Sequence, residues 1–177
     1  MKVRRVVTGH DSADKAVFAS DQEVEPVTLA LVPGAEFHRL WGGDSSPTFP
    51  DDGSPPPQAT YFPPLGGFRF GFFSLPPAGT GPPPDLDVPA ALAEMEKKLP
   101  GMVSHMEPDD PGMHTTDTID FEVVLSGEVV LELDEGAERV VRAGDTVVQN
   151  GTRHRWHNRG GEPAVIAVFM VGASRKE

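Results

Sequence analysis

From residue 113 onward the chain is a relay of short alternating apolar segments broken by turn residues, and this limits the fold more than any other feature. DFEVVL runs into the turn Ser126-Gly127, and EVVLELD follows with Val129, Leu131 and Leu133 alternating with polar residues. Asp134-Glu135-Gly136 supplies a hairpin turn before ERVVR. Ala143-Gly144-Asp145 is another turn, TVV a short strand and NGT a further turn. RHRWHN reads as a strand, RGGE turns, and PAVIAVFMV closes as a strand apolar on both faces. Strands this short and this regularly punctuated predict an antiparallel barrel or sandwich.

The upstream half is less regular. PVTLALVP (26–33) predicts a short strand, EFHRLWGGD a second strand or its continuation, and GFRFGFFSL (67–75) another. Residues 42–60 are loop, dense in Gly, Pro and Asp. One helix is expected, over 88–99, capped by Asp87, with Pro89 in its first turn and Lys97 and Lys98 at its C-terminal end. Leu92, Met95 and Leu99 form its apolar stripe, which packs on the domain.

With 177 residues, 19 Gly and 19 Pro, the chain suits one domain rich in turns. It has no cysteine, so disulfides, thiolate metal sites and cysteine nucleophiles are excluded. Net charge is −12 and no basic footprint is visible, which argues against nucleic-acid binding. The short clusters Arg4-Arg5 and Arg153–Arg155 read as solvated strand faces. The charged N-terminus does not read as a signal peptide, and AVIAVFMVGA is about half the length a membrane span needs, so a soluble, cytoplasmic protein without membrane partners is expected.

Two motifs resemble those of the cupins, H-x-H-(x)3–4-E-(x)6-G and G-(x)5-P-x-G-(x)2-H-(x)3-N. Here the first reads His114-x-Thr116-(x)3-Asp120-(x)6-Gly127, and the second Gly144-Asp145-(x)3-Gln149-Asn150-Gly151-(x)2-His154-(x)3-Asn158. The second is one residue short in its first gap and has Gln149 where proline is usual. Coverage is about one third of the chain, residues 112–171. The chain as a whole is similar to small single-domain cupins from bacteria and from fungal metabolite clusters.

The resemblance implies an all-β fold, a double-stranded β-helix or jelly-roll barrel over 112–171, with residues 1–111 adding N-terminal strands, Pro/Gly-rich loops and the short peripheral helix. It also implies a metal-dependent enzyme of dioxygenase or isomerase/lyase type, or a non-catalytic cupin that binds a small-molecule ligand. His114 and His154 occupy ligand positions of the two motifs. Thr116 replaces the second histidine, a poor donor to a transition metal, and Asp120 replaces glutamate with an arm about 1.5 Å shorter. Two histidines and a carboxylate remain, a set that suits iron and that manganese, zinc or nickel could also occupy.

Strand alternation puts His114, Thr116, Thr118, Asp120, Glu122 and Val124 on one face and Ile119, Phe121, Val123 and Leu125 on the other. The polar set is expected to face an interior cavity, where a cation or ordered water would offset the cost of buried carboxylates. Glu122 is the candidate general acid/base, or itself the carboxylate ligand in place of Asp120. Thr116, Trp156 and His38 are candidate pocket residues. Trp156 suits core packing as well as a cavity wall, and a lone histidine such as His38 is commonly structural. The apolar set needs cover from the N-terminal strands or a second copy, so a homodimer is expected.

Overall fold

The computed structural model describes residues 1–176. Its strands are β1 (Val3–His10), β2 (Ala16–Val24), β3 (Phe37–Gly43), β4 (Phe68–Leu75), β5 (Thr118–Ser126), β6 (Glu128–Glu132), β7 (Glu138–Arg142), β8 (Thr146–Gln149), β9 (Arg155–His157) and β10 (Ala164–Gly172), with one helix, α1 (Val88–Lys98), between β4 and β5. A five-stranded sheet in the order β3-β4-β10-β5-β8 faces a three-stranded sheet β7-β6-β9, and β1-β2 form a separate ribbon. The named strands all pair antiparallel. The fold is all-β, two facing antiparallel sheets with β3 and β4 extending one of them, as the sequence predicts.

The turns follow from the residues that make them. Gly127 joins β5 to β6 at φ 77, and a Cβ there would lie 2.9 Å from the Ala164 backbone, so only glycine fits. Glu135 and Gly136 both take positive φ between β6 and β7, the geometry that matches a hairpin's twist. The α1 helix starts where Asp87 Oδ1 accepts from Ala90 N at 3.0 Å, and Pro89 occupies its first turn.

The apolar core fills one end of the barrel, where Val124, Ala164 and Ile166 of one sheet meet Val129, Leu131 and Val141 of the other. A second cluster forms where Met95 and Leu99 of the helical segment pack with Leu29 and Met102 against Phe37, Tyr61 and Phe62. Burying each of these large side chains contributes roughly 1.5–3 kcal/mol, enough to dock the helix and the 56–62 loop on the barrel.

Two features differ from the sequence-based expectation. Residues 26–33 are mostly turn, their backbone pairing with β3 only through the isolated Val27–Phe37 bridge. Strands β1 and β2 have no apolar period because the ribbon is exposed on most of its length, so nothing in their sequence marks them as sheet. The ribbon also leaves the outer face of β5 uncovered: Phe121, Val123 and Leu125 are 46%, 38% and 46% exposed.

Candidate functional site

Cross-strand register lines up the inward side chains in rows. One row runs Arg39, Gly71, Val168, Glu122, Val147. The next runs Gly42, Arg69, Met170, Asp120, Gln149. Thr116, Thr118, Asp120 and Glu122 are all buried, as the alternation of MHTTDTIDFE predicts, while the Phe121 side of the strand faces out. The polar end of the barrel interior is therefore made largely by β5, with Gln149 and His154 beside it, both buried.

His114 and His154 come together just outside the regular strands. Each backbone N–H donates to the other's carbonyl at 3.0 Å, and the ring centroids are 4.2 Å apart. Nδ1 of His114 lies 3.0 Å from Gly112 O and Nδ1 of His154 lies 2.9 Å from Thr152 O. A carbonyl can only accept, so each Nδ1 carries the proton and each Nε2 presents a lone pair. Burial lowers both pKa values, that of His154 to about 4 with the His114 charge adding, so both rings are neutral at pH 7. Fixing the tautomer through a backbone carbonyl is the usual support for a metal-ligating imidazole.

A salt-bridge network holds this pair in place. Arg153 binds Glu107 and Asp110, and Arg155 binds Asp110 and Glu132. These bonds tie residues 107–110 to β9 and so fix the approach of the chain to His114. The two arginines, which look like a solvated face in the sequence, are clamps.

The carboxylates are the unusual part. Asp120 Oδ1, Glu122 Oε2 and Gln149 Nε2 are buried without a hydrogen-bond partner. Burial raises Asp120 from 3.8 to about 6, the Thr118 hydroxyl partly offsetting it. Burial raises Glu122 from 4.5 to about 8, and the Asp120 charge adds to the rise. Near neutral pH the pair carries about one proton, mostly on Glu122, which places a proton donor and an acceptor two residues apart. Thr116 is buried, its hydroxyl accepting from Thr118 at 2.8 Å. Trp156 packs on the core cluster, as the packing role expected of it requires, and meets His154 edge-on at 6.4 Å.

His38 is buried and its Nε2 has no partner, but it pairs with Phe72, which register assigns to the sheet face opposite Glu122. Sequence reasoning missed Arg39, Tyr61 and Arg69. Arg69 is buried and donates to Asp44, Thr60 O, Gly43 O and Phe68 O, holding the loop that carries Tyr61 over the interior. Gln149 carried a usable signal, a polar residue where the motif has proline.

Could this set hold a metal? The histidine pair suits it as nitrogen donors, and the orphaned Asp120 oxygen is a candidate third donor. The three are not drawn tightly together, however. Among the described residues, the one group of three His, Asp or Glu whose ligand atoms lie within 4.8 Å of one another is Glu132, Glu138 and His157. That group sits on the outer face of the three-stranded sheet and is tied up by Arg155 and Arg159. His114, Asp120 and His154 do not form such a group, so a cation held by all three would need their ligand atoms to draw together.

Residues 102–171 match the Cupin_2 family, described as a cupin domain. The chain is 53% identical over 47 residues to phomopsin biosynthesis cluster protein C' of Diaporthe leptostromiformis, covering 27% of this chain and 25% of that protein. It is 33% identical over 86 residues to the cupin-domain-containing oxidoreductase srdD of Neurospora crassa, covering 43% of this chain and 44% of that protein. The matches thus span about a quarter to under half of these relatives' length. A Cupin 2 conserved barrel domain protein from Salinispora arenicola aligns over 86% of this chain and 90% of that chain at 17% identity, with a TM-score of 0.42.

Proposed function

We propose, from the premise that residues 102–171 of this chain are a cupin domain, that the polar interior takes a small organic molecule and acts on it as a metal-dependent enzyme of oxidoreductase or isomerase/lyase type. The observation that carries this reading is the orphaned set: two buried carboxylate oxygens and an amide nitrogen without partners, beside two imidazoles whose Nδ1 atoms are tied to carbonyls. A fold keeps unpaired buried polar groups only where something else satisfies them. The oxidoreductase names of fungal relatives agree with the reading.

His114, His154 and Asp120 would hold the divalent metal, iron, manganese, zinc or nickel. The metal, when bound, supplies a Lewis acid that polarises a substrate oxygen or a redox centre for oxygen chemistry. The chain's own residues supply the rest. Glu122 holds a proton near neutral pH and can deliver it to the substrate, and its carboxylate can take one back. Gln149 donates its free amide hydrogen to a substrate oxygen, and Val168, Met170 and Trp156 keep bulk water away.

The test is metal analysis of protein purified without chelators, together with His114→Ala and His154→Ala. About one metal per chain, lost in both variants, is the expected result, because two remaining donors do not define a tight site. Replacing Thr116 with histidine should tighten binding by restoring a fourth donor. No metal in the wild-type protein, with neither variant changing anything, would leave the second reading, a cupin that binds a small molecule without catalysis. Thr116 in place of histidine, and ligand atoms of His114, Asp120 and His154 that do not form a tight group, favour that second reading.

A further inference from the structure

The polar interior is closed in this structure. The cavity beside Tyr61, which Arg39, Val168 and Met170 also line, has a volume of about 10 Å³, room for about one water molecule. Tyr61 itself fills the space between Arg39 and the acidic pair. Burial raises the pKa of its phenol, and the charges of Asp120 and Glu122 add to the rise while Arg39 opposes it. Asp120, Glu122 and Gln149 each bury a polar atom without a partner, yet this side chain leaves no room for a small molecule beside it.

Tyr61 belongs to a long connection that is fixed at two points and weakly held between them. Residues 44–67 join β3 to β4 without a strand or helix, and connections longer than about 12–15 residues commonly serve as lids or binding loops. One post is at 51–53, where Asp51 O accepts from His10 N at 2.7 Å and a Cβ on Gly53 would lie 2.5 Å from Ala19 Cβ. The other is at 63–67, where Gly67 O accepts from Gly172 N at 3.0 Å and Pro63 is buried. Between the posts no residue of 54–62 is fully buried. Polar bonds hold this span, and most of them converge on Asp44 and Arg69. Asp44 Oδ2 accepts from Ala59 N at 2.9 Å, its Oδ1 pairs with Arg69 at 2.5 Å, and its N–H donates to Pro57 O at 3.2 Å. Arg69 donates to Thr60 O, Arg39 makes one long bond to Gln58 O, and Tyr61 N donates to Pro100 O. A segment with few buried apolar contacts and bonds that water can replace opens at a lower free energy than the core.

We propose that residues 54–62 are a lid that swings between these two posts, with Tyr61 as its plug and Asp44 as its latch, and that the interior takes its ligand only when the lid is open. This rests on the interior being the ligand pocket, as proposed above, and concerns how that pocket is reached. Closed, the lid keeps bulk water off the acidic pair. Open, it vacates the space of the Tyr61 ring for a molecule that supplies the missing hydrogen bonds.

The chain has no cysteine, so one introduced thiol reads the opening without background. Val168→Cys places it beside Tyr61, where Val168 is 5% exposed, and Val129→Cys places it in the apolar core at 0%. Both proteins are labelled with iodoacetamide as purified, across a series of urea concentrations below the unfolding transition, with metal content measured in parallel. The thiol at position 168 should react at least tenfold faster than that at position 129. Its rate should be nearly independent of urea, because so short a lid exposes little surface, whereas the rate at 129 should rise with the full dependence of global unfolding. Adding Asp44→Ala should speed labelling at 168 roughly 10- to 100-fold, the range for hydrogen bonds to a charged group. Near-UV circular dichroism checks folding; Asp44→Asn, with a smaller increase, and Met170→Cys stand in for a variant that fails it. Equal rates and equal urea dependence at the two positions, or a rate at 168 that the loss of the Asp44 carboxylate leaves unchanged, would overturn the proposal. Labelling reads the lid with or without a metal. A protein that opens but holds no metal refutes only the metal reading, and one that holds metal but reacts at 168 only on global unfolding refutes only this inference.

Discussion

Glu122 should make this protein lose stability as the solution turns alkaline, and Glu122→Gln should remove that dependence. Glu122 is 5% exposed and its Oε2 has no partner. Burial lifts its pKa from 4.5 to about 8. The folded state therefore binds more protons than the unfolded one between these values, and stability falls as pH rises through that window. Over the whole window the loss is on the order of 5 kcal/mol. Two other groups act at lower pH. Asp120, raised from 3.8 to about 6, adds a fall of the same sign between those values. His154, lowered from 6.5 to about 4, adds a rise between them. Above pH 6.5 Asp120 has nearly finished titrating and His154, half protonated in the unfolded state, has only about 0.4 kcal/mol of its rise left, which leaves Glu122 as the main contributor of the three. From pH 6.5 to 8 its share is roughly 1.5 kcal/mol, equivalent to about 3–6 °C in Tm for a domain of this size. The assay is urea unfolding of wild type and Glu122→Gln at several pH values in the presence of a chelator, since a bound cation would favour the ionised carboxylate. Glutamine keeps the shape and stays neutral in both states, so the stability difference between variant and wild type should widen in the variant's favour by roughly 1.5 kcal/mol from pH 6.5 to pH 8. Parallel pH profiles for the two proteins would refute the claim that Glu122 is buried and unpaired.

Other outcomes are expected from the same geometry. The outward row Trp41, Phe70, Phe169, Phe121 and Val148 and the rows beside it carry no Asp, Glu, Lys or Arg, in a chain of net charge −12. We expect a second copy to cover this face, so sedimentation should give twice the 19.0 kDa chain mass, and Phe121→Lys should shift it toward monomer; a strict wild-type monomer at micromolar concentration would rule this out. Arg69→Met should cost roughly 3–5 kcal/mol, because it breaks a buried ion pair and frees the carbonyls of Gly43 and Thr60. Limited proteolysis should then cut within 44–60 sooner than in wild type. Asp87→Ala removes the helix cap and should lower stability by about 1 kcal/mol by urea unfolding.

The sequence by itself determined the barrel and the face of β5 that looks inward. Alternation is a local property, so the parity of Thr116, Thr118, Asp120 and Glu122 against Phe121, Val123 and Leu125 is readable before any contact is known, and every one of the four polar residues is buried. The turns at Ser126-Gly127 and 134–136 are likewise set by their own residues. The pairing of His114 with His154 follows from two motifs in order, even though 39 positions separate them in the chain. What only the tertiary structure decided involves groups that local pattern cannot join. Arg39 and Arg69 occupy strands without a motif, and their opposite fates, one saturated and one nearly free, depend on where the 56–62 loop folds back. Arg153 and Arg155 become clamps because residues 107–110 pass over β9. The ribbon of β1 and β2 has no periodicity because neither face is buried along most of its length, and a strand without a buried face leaves no apolar pattern to read. Whether the ligand atoms of His114, Asp120 and His154 converge is decided at the scale of an ångström or two, and sequence spacing carries no information at that scale.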